Sequence, residues 1–450
     1  MGESDPRSVY DRVRAAHLAA VSAALEDHVG RLSWSRAQIE RHRDNRLRAL
    51  LAYATERSPF HAKRLAGIED LASAPVMTKR QAQEQWDSVI TVPDLDRAGA
   101  ERILAEQQWF SYTVHDQQVF SSGGSSGVRG VYVWDWPFFI SAACLAWRMQ
   151  ARDEQHAPAV ESRLAVLTAA VAPHASTPLF DLPTVAGMQT TVIEAGAPFE
   201  QVLANVAAVA PTHLVGYATV IGRLARATLA GELVIRPHRV STNSEPLLPE
   251  DREAIRQAWG ATIHNLWGST EIGVQAVGCG QGDGLHVCED EVILERVDAD
   301  GVPVSPDEPA VRTLATSLAN RTFPFIRYDL GDEITFLPGP CPCGSAFVRV
   351  ADVTGRRDDD FSYGAITVPA SAFRYVLGTD PRVTEYQVTQ TATGVEILVV
   401  GDPDIAVLSG AVAAAVRRYG LQHPQINVAV AERLERHQST GKLTRFVPLR

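Results

Sequence analysis

The sequence predicts an α/β protein: a large N-terminal domain of several parts, with mixed sheets flanked by helices plus a β-rich part, and a small α+β C-terminal domain. Three observations carry this expectation. Apolar residues recur at helical spacing at the start, short apolar runs alternate with helix-like segments in the middle, and a second strand and helix alternation follows a charged, glycine-punctuated stretch near residue 358. At 450 residues the chain is also too long for one ordinary core.

From Val9 to Leu65 the pattern, as in RLRALLAYATERSPF, predicts helices. From Arg163 the runs LAVLTAAVA, TTVIEAG, THLVGYA and ELVIRPHRVS read as strands. They alternate with helical FEQVLANVAAVAP and TVIGRLARATLAG, which favours a mixed or parallel sheet covered by helices. Beyond Gly284, LHVCEDEVILERVD, PAVRTLATSL and DEITFLPG predict strands of more antiparallel character. TGRRDDDFSYG reads as a polar hinge, dividing the chain into domains 1–357 and 358–450. The second domain then follows as strands in EYQVTQTATGVEILVVG, a helix in DIAVLSGAVAAAVRRYG and a strand in QINVAVAERL.

A net charge of −11 argues against nucleic acid or an anionic membrane as partner, because both reward clustered Lys and Arg. With 45% hydrophobic and 21% charged residues the composition is that of a globular protein, and small-molecule chemistry is the better expectation. The polar start MGESDPRSVYDRVRAAHL lacks an apolar signal core, and no run approaches the ~20 residues of a membrane span, so a cytoplasmic location is expected. Five cysteines, an odd count, point to metal binding or plain burial rather than a disulfide framework.

Five segments carry chemistry. VFSSGGSSGVRGVYVW, residues 119–134, sets small hydroxyl and glycine residues between two strand-like runs, the composition of a phosphate cradle. It lacks the Gly-Lys-Ser/Thr ending of a Walker loop. Gly123 to Gly127 formally match the G-x-S-x-G elbow of a serine hydrolase, but that elbow needs a helix next, whereas VRGVYVW reads as a strand. A plain Ser/Gly hairpin is the bland alternative. HNLWGSTEIG offers Trp267, Gly268, Ser269 and Thr270 beside a base and Glu271 beside phosphates, where a carboxylate can hold Mg2+. In FPFIRYDLGDE, Asp332 follows a glycine turn and suits a ribose. TGRRDDDFSYG is otherwise a solvated linker, and HQSTGKLTRF ends in Lys442, which on a mobile loop can neutralise an α-phosphate.

Together and in this order the five segments resemble the adenylate-forming superfamily, and more closely its phenylacetate-CoA ligase-like branch; YATERSPFHAKRL, VMTKRQAQEQW and GLHVCEDEVILE extend the likeness over nearly the whole chain. The resemblance implies that Ser122, Gly124, Ser125, Ser126 and Gly127 form the phosphate loop. Trp267, Gly268, Ser269, Thr270 and Glu271 would form the adenine and Mg2+ motif, with Trp267 where the family usually has Tyr, and Asp332 would bind the ribose. Arg356 and Lys442 would be catalytic, and Asp358 or Asp359 the hinge of a mobile C-terminal lid. Asn243, Ser244 and Glu245 match the floor between adenine and acyl pocket, where the family favours a Gly-Ala-Glu-like sequence; Tyr217, Asn243 and Gly268 are pocket candidates.

The implied activity is ATP-dependent activation of a carboxylic acid, aromatic or arylacrylic, to an acyl-AMP, followed by thioester formation with coenzyme A. A carrier-protein thiol or an amine is the alternative acceptor, a serine hydrolase the remote one, and a homodimer the expected assembly. The phosphate loop ends Val128-Arg129-Gly130 without the superfamily's common Pro and Lys, so Arg129 is a candidate for a related electrostatic role or for none. Cys279, His286, Cys341 and Cys343 could form a tetrahedral Cys3His zinc site of structural kind, with Cys288 as a competing ligand.

Overall fold

The computed structural model describes residues 6–68, 70–107, 113, 117–122, 129–155, 162–168, 174–175, 179, 189–305, 308, 310–353, 359–378, 380, 382–436 and 443–449. Three helices open the chain as the periodicity predicts: α1 (Pro6–Gly30), α2 (Arg36–Arg57) and α3 (Pro59–Arg64). Short helices α4 (Lys79–Glu84) and α5 (Trp86–Val89) follow. The first is entered through a capping box in which Thr78 and Gln81 bond each other's backbone. Helix α6 (Arg97–Glu106) leads to the hairpin β1 (Gln118–Ser122) and β2 (Gly130–Trp134), and α7 (Trp136–Glu154) packs against α1.

The centre is a nine-stranded sheet. Its parallel half comprises β3 (Arg163–Thr168), β4 (Gln189–Glu194), β5 (His213–Tyr217), β6 (Arg239–Asn243) and β7 (Thr262–Ser269), in the order β4-β3-β5-β6-β7. Helices α8 (Phe199–Val209), α9 (Ala218–Leu229) and α10 (Pro249–Trp259) connect these strands. The continuous run LAVLT is buried along β3, as expected of a strand covered on both faces. At Gly216 a Cβ would lie 2.7 Å from the Leu167 carbonyl oxygen, so only glycine lets β5 approach β3 there.

The sheet continues antiparallel through β8 (Gly273–Val277), β9 (Leu285–Val287), β14 (Arg349–Val350) and β13 (Phe336–Leu337). A separate antiparallel sheet holds β10 (Val292–Val297), β11 (Arg312–Ser317) and β12 (Tyr328–Asp329).

Two strand expectations fail in part. In DEITFLPG only Phe336 and Leu337 form a strand. ELVIRPHRVS pairs only from Arg239 onward. Pro237 has no N–H for the ladder, the Leu233 N–H bonds back to Ala227 O at the end of α9, and Val234 is exposed.

Residues 359–449 form β15 (Phe361–Tyr363), β16 (Ile366–Val368), α11 (Ala370–Leu377), β17 (Val383–Gln390), β18 (Gly394–Gly401), α12 (Ile405–Arg417), β19 (Gln425–Val430) and β20 (Phe446–Val447). Four of the strands make one sheet in the order β19-β18-β17-β20. An apolar cluster around Phe361, Phe373, Tyr386 and Val412 is drawn wholly from this part.

Three acidic residues in the turn before β10 tie the N-terminal helices to the rest. Glu289 takes both terminal nitrogens of Arg36 at 2.7 Å, fully buried Asp290 takes Arg148 at 2.7 Å, and Glu291 takes Arg31 at 3.0 Å and Arg46 at 2.5 Å. Buried carboxylates survive only when paired in this way.

Burial also sets the acid response. It lowers His17 and His28 to about 3, with Arg14 and Arg31 adding to the respective effects, and lowers His61 to about 4. These folded-state values lie below the ordinary 6.5, so the unfolded chain binds more protons in between. The stability each imidazole contributes is full above pH 6.5 and is lost as the pH falls toward 3 to 4. The expected outcome is a falling thermal midpoint between pH 7 and pH 5, each imidazole contributing at most ~1.4 kcal/mol per pH unit. His61→Gln is expected to flatten the slope, and an unchanged slope in that variant would refute the assignment.

Candidate active site

Strands β1 and β2 pair from Gln118 opposite Trp134 to Ser122 opposite Gly130, so the serine and glycine loop closes a hairpin. Gly124, Ser125, Ser126 and Gly127 lie outside the described residues; Ser122 is the last described position before them. A strand, not a helix, follows the loop, which corrects the hydrolase alternative because its nucleophile elbow requires the helix.

Strand β2 then fixes the second motif. The Tyr132 hydroxyl donates to Glu271 Oε1 at 2.7 Å, the Tyr328 hydroxyl donates to the same oxygen at 3.2 Å, and Trp134 Nε1 donates to the Thr270 carbonyl at 2.9 Å. Glu271 is thus buried with Oε1 held as an acceptor by two neutral donors, and a carboxylate in such a setting has the donor chemistry that fits Mg2+. Neither tyrosine was marked by sequence pattern, although Tyr132 stands in the strand directly after the loop.

Trp267 and Gly268 sit at a register shift in β7, where a Cβ on Gly268 would lie 2.8 Å from the Gly273 carbonyl oxygen. Ser269 Oγ accepts from the Ile272 N–H at 3.2 Å and from Gln275 Nε2 at 3.4 Å, which shapes the turn carrying Thr270 and Glu271. The Trp267 indole N–H donates to Asp332 Oδ2 at 2.9 Å. Asp332 follows Gly331, whose φ of +72° makes the turn. The adenine and ribose candidates, 65 residues apart in sequence, are therefore in direct contact.

Tyr217 and Asn243 are opposite one another at the carboxyl ends of β5 and β6, beside the end of β7 that carries Trp267. Carboxyl ends of parallel strands are where open α/β sheets bind ligands. Both side chains are buried, and Ser244, at φ +63°, donates its hydroxyl to Asn243 Oδ1 at 2.9 Å. Glu245 is engaged by the protein itself: Oε2 accepts from the Thr219 N–H at 3.0 Å and hydroxyl at 2.7 Å, and Oε1 accepts from the Leu443 N–H at 3.2 Å.

Lys442, Arg356 and Asp358 lie outside the described residues. Polar contacts join described residues of the C-terminal part to α9 and α10. Arg436 donates to Thr219 Oγ1 at 3.2 Å and contacts Glu385, and Arg445 lies 3.4 Å from Asp251 and over the Tyr386 ring. Asp359 accepts from Arg374 Nη2 at 3.1 Å.

The cysteine cluster assembles from residues up to 64 positions apart. The ligand atoms of Cys279, His286, Cys341 and Cys343 lie within 4.8 Å of one another, with Cys279 Sγ 3.6 Å from Cys341 Sγ and Cys343 Sγ 3.3 Å from His286 Nε2. A tetrahedron with ~2.3 Å zinc–sulfur bonds has edges of about 3.8 Å, so the donor set fits zinc. His286 Nδ1 bonds the Phe347 carbonyl at 3.1 Å, which turns Nε2 toward the sulfurs. The Cys343 thiol is held far below the ordinary range, first by the hydrogen bond from Cys279 and further by His286. Cys288, the competing candidate, is not among the four; it lies beside Arg148, and burial pushes its thiol up to about 12.

No family model matches the chain. A stretch of 156 residues, 34% of this chain, is 30% identical to phenylacetate-coenzyme A ligase of Thermus thermophilus, and the match spans about a third (35%) of that relative's length. Among solved structures, 2-hydroxyisobutyryl-CoA ligase in the postadenylation state with 2-HIB-AMP aligns over 93% of this chain and 91% of its own, with a TM-score of 0.70 and 17% identity. The same ligase with 2-HIB-AMP and CoA in its thioesterification state aligns over 92% and 91% with a TM-score of 0.58 and 17% identity. The chain therefore has the fold of the adenylate-forming superfamily, and its resemblance to the phenylacetate-CoA ligase branch stands on the matched stretch.

Proposed function

We propose that the protein activates a carboxylic acid with ATP to an acyl-AMP and then transfers the acyl group to coenzyme A. The observation that carries this reading is the convergence of three motifs from distant parts of the sequence. The serine hairpin is bonded through Tyr132 to Glu271, and Trp267, four residues earlier, is bonded to Asp332. A triphosphate lying along the hairpin would meet Ser122 and Glu271, with its ribose at Asp332 and its adenine at Trp267.

In the first half-reaction a carboxylate oxygen attacks the α-phosphorus, the new P–O bond forms, and the bond to the β-phosphate breaks with its electron pair leaving on pyrophosphate. Lys442 and the loop residues Gly124, Ser125, Ser126 and Gly127 stabilise that charge, and Arg356 assists from the hinge side. Mg2+, when bound at Glu271, supplies further charge neutralisation on the phosphates. The small domain, residues 358–450, then turns about Asp358 or Asp359 against domain 1–357. Its polar contacts with α9 and α10 suit release better than an apolar seam would. In the second half-reaction the thiolate attacks the acyl carbonyl and AMP departs.

Tyr217, Asn243 and Gly268 line the acyl side, and an aromatic or arylacrylic acid is the substrate class this reading favours. Cys279, His286, Cys341 and Cys343 bind a structural zinc ion. No helix among the described residues is long and apolar enough to cross a membrane, and reduced thiols in that cluster suit the cytoplasm.

Incubation of one accepted acid with ATP and coenzyme A is expected to release AMP in step with acyl-CoA, with only slow AMP release when coenzyme A is omitted. AMP release indifferent to coenzyme A but stimulated by an amine or a carrier-protein thiol would move the assignment to the alternative acceptor.

A further inference from the structure

Resting on the adenylating function above, we propose that Lys79 binds the outer phosphates of the nucleotide, the pair that leaves as pyrophosphate. Serine hydroxyls and backbone amides can surround these oxygens but neutralise none of their charge, so the hairpin needs a cation nearby. The cation of the loop's own segment is directed elsewhere: Arg129 Nη1 lies 2.8 and 2.6 Å from the two carboxylate oxygens of Glu101 on α6, which also holds Arg97.

Lys79 comes to the hairpin from a different element. Its Nζ lies 3.4 Å from Ser122 Oγ, at the edge of the loop. The position is fixed from two sides. Gln83 Oε1, on the same helix, accepts from the Val131 N–H at 2.9 Å, and Trp86 Nε1, at the start of α5, donates to the Val131 carbonyl at 2.9 Å, clamping α4 and α5 to the strand that follows the loop. Just before α4, buried Met77 exchanges two backbone hydrogen bonds of 2.9 Å with Arg327 and Asp329, on either side of the Tyr328 whose hydroxyl holds Glu271. Lys79 is thereby held beside Ser122, on a helix that follows Met77, itself bonded to both neighbours of Tyr328, and the pyrophosphate half of the nucleotide would lie against it. A compact ammonium on a flexible stem suits that anion before and after the bond to the α-phosphate breaks. Lys442, in contrast, acts on the innermost phosphorus from the small domain.

Calorimetric titration of the whole chain with ATP, pyrophosphate and AMP separates the possibilities. Lys79→Ala is expected to weaken ATP and pyrophosphate roughly 10- to 100-fold while leaving AMP affinity unchanged, Lys79→Arg to restore part of the loss, and Arg129→Ala to leave all three affinities unchanged. Unaltered ATP binding in Lys79→Ala, equal weakening of ATP and AMP, or the loss appearing in Arg129→Ala instead would overturn the assignment. A wild-type protein that binds neither ATP nor AMP would overturn the adenylating function itself.

Discussion

Replacement of Lys442 by alanine is expected to slow acyl-AMP formation by roughly 10²- to 10³-fold, the usual cost of removing a group aimed at charge that develops in a transition state. Thioester formation from supplied acyl-AMP is expected to change little. The split follows from position. The Leu443 N–H, one residue on, is bonded to Glu245 beside the carboxyl ends of β5 and β6. In the proposed mechanism that bond and the Arg436–Thr219 bond would break as the small domain turns. Pyrophosphate exchange measures the first step and acyl-CoA appearance from acyl-AMP the second; equal losses in both would contradict a role confined to adenylation.

Cys343→Ser is expected to abolish binding of one equivalent of zinc, read by elemental analysis, and to lower unfolding stability by ~4 kcal/mol when the metal is present at about a thousand times its dissociation constant. The four candidate ligands come from the residues after β8, strand β9 and the loop between β13 and β14, which a bound metal would join. Those last two strands are only two residues long and gain little from their own pairing. A chelator should reproduce the loss in the wild type, whereas Cys144→Ser, whose thiol bonds the Val21 carbonyl, should keep the metal. Purified protein that contains no zinc and melts identically with and without chelator would refute the site.

The parts of the fold that obey simple periodicity were legible in the sequence: the opening helices, the alternation from Arg163 onward and the hairpin around the serine loop. Patterns local to one segment report local structure well. ELVIR read as a strand because its residues are apolar, but pairing is decided by the neighbour, and Pro237 removes a donor the ladder would need.

Residues whose role depends on a distant partner were not legible. Glu289, Asp290 and Glu291 lie inside LHVCEDEVILERVD, whose pattern predicts strands but says nothing of Arg31, Arg36, Arg46 and Arg148, which reach them from more than 140 positions away. Tyr132, Tyr328 and Lys79 are ordinary in their own segments and gain meaning only from Glu271 and Ser122. The cysteines were found because soft ligands in C-x-C spacing are rare enough to mark themselves, yet only the fold separates Cys288 from the other three.

Acid-dependent exchange of labelled pyrophosphate into ATP tests most directly the proposal that one site joins AMP to a carboxylate. Across a panel of aromatic, arylacrylic and aliphatic acids, label should enter ATP for at least one acid, only when that acid is present, and without any need for coenzyme A. Incorporation with no acid, or none with any acid from a folded protein that binds ATP, would contradict it.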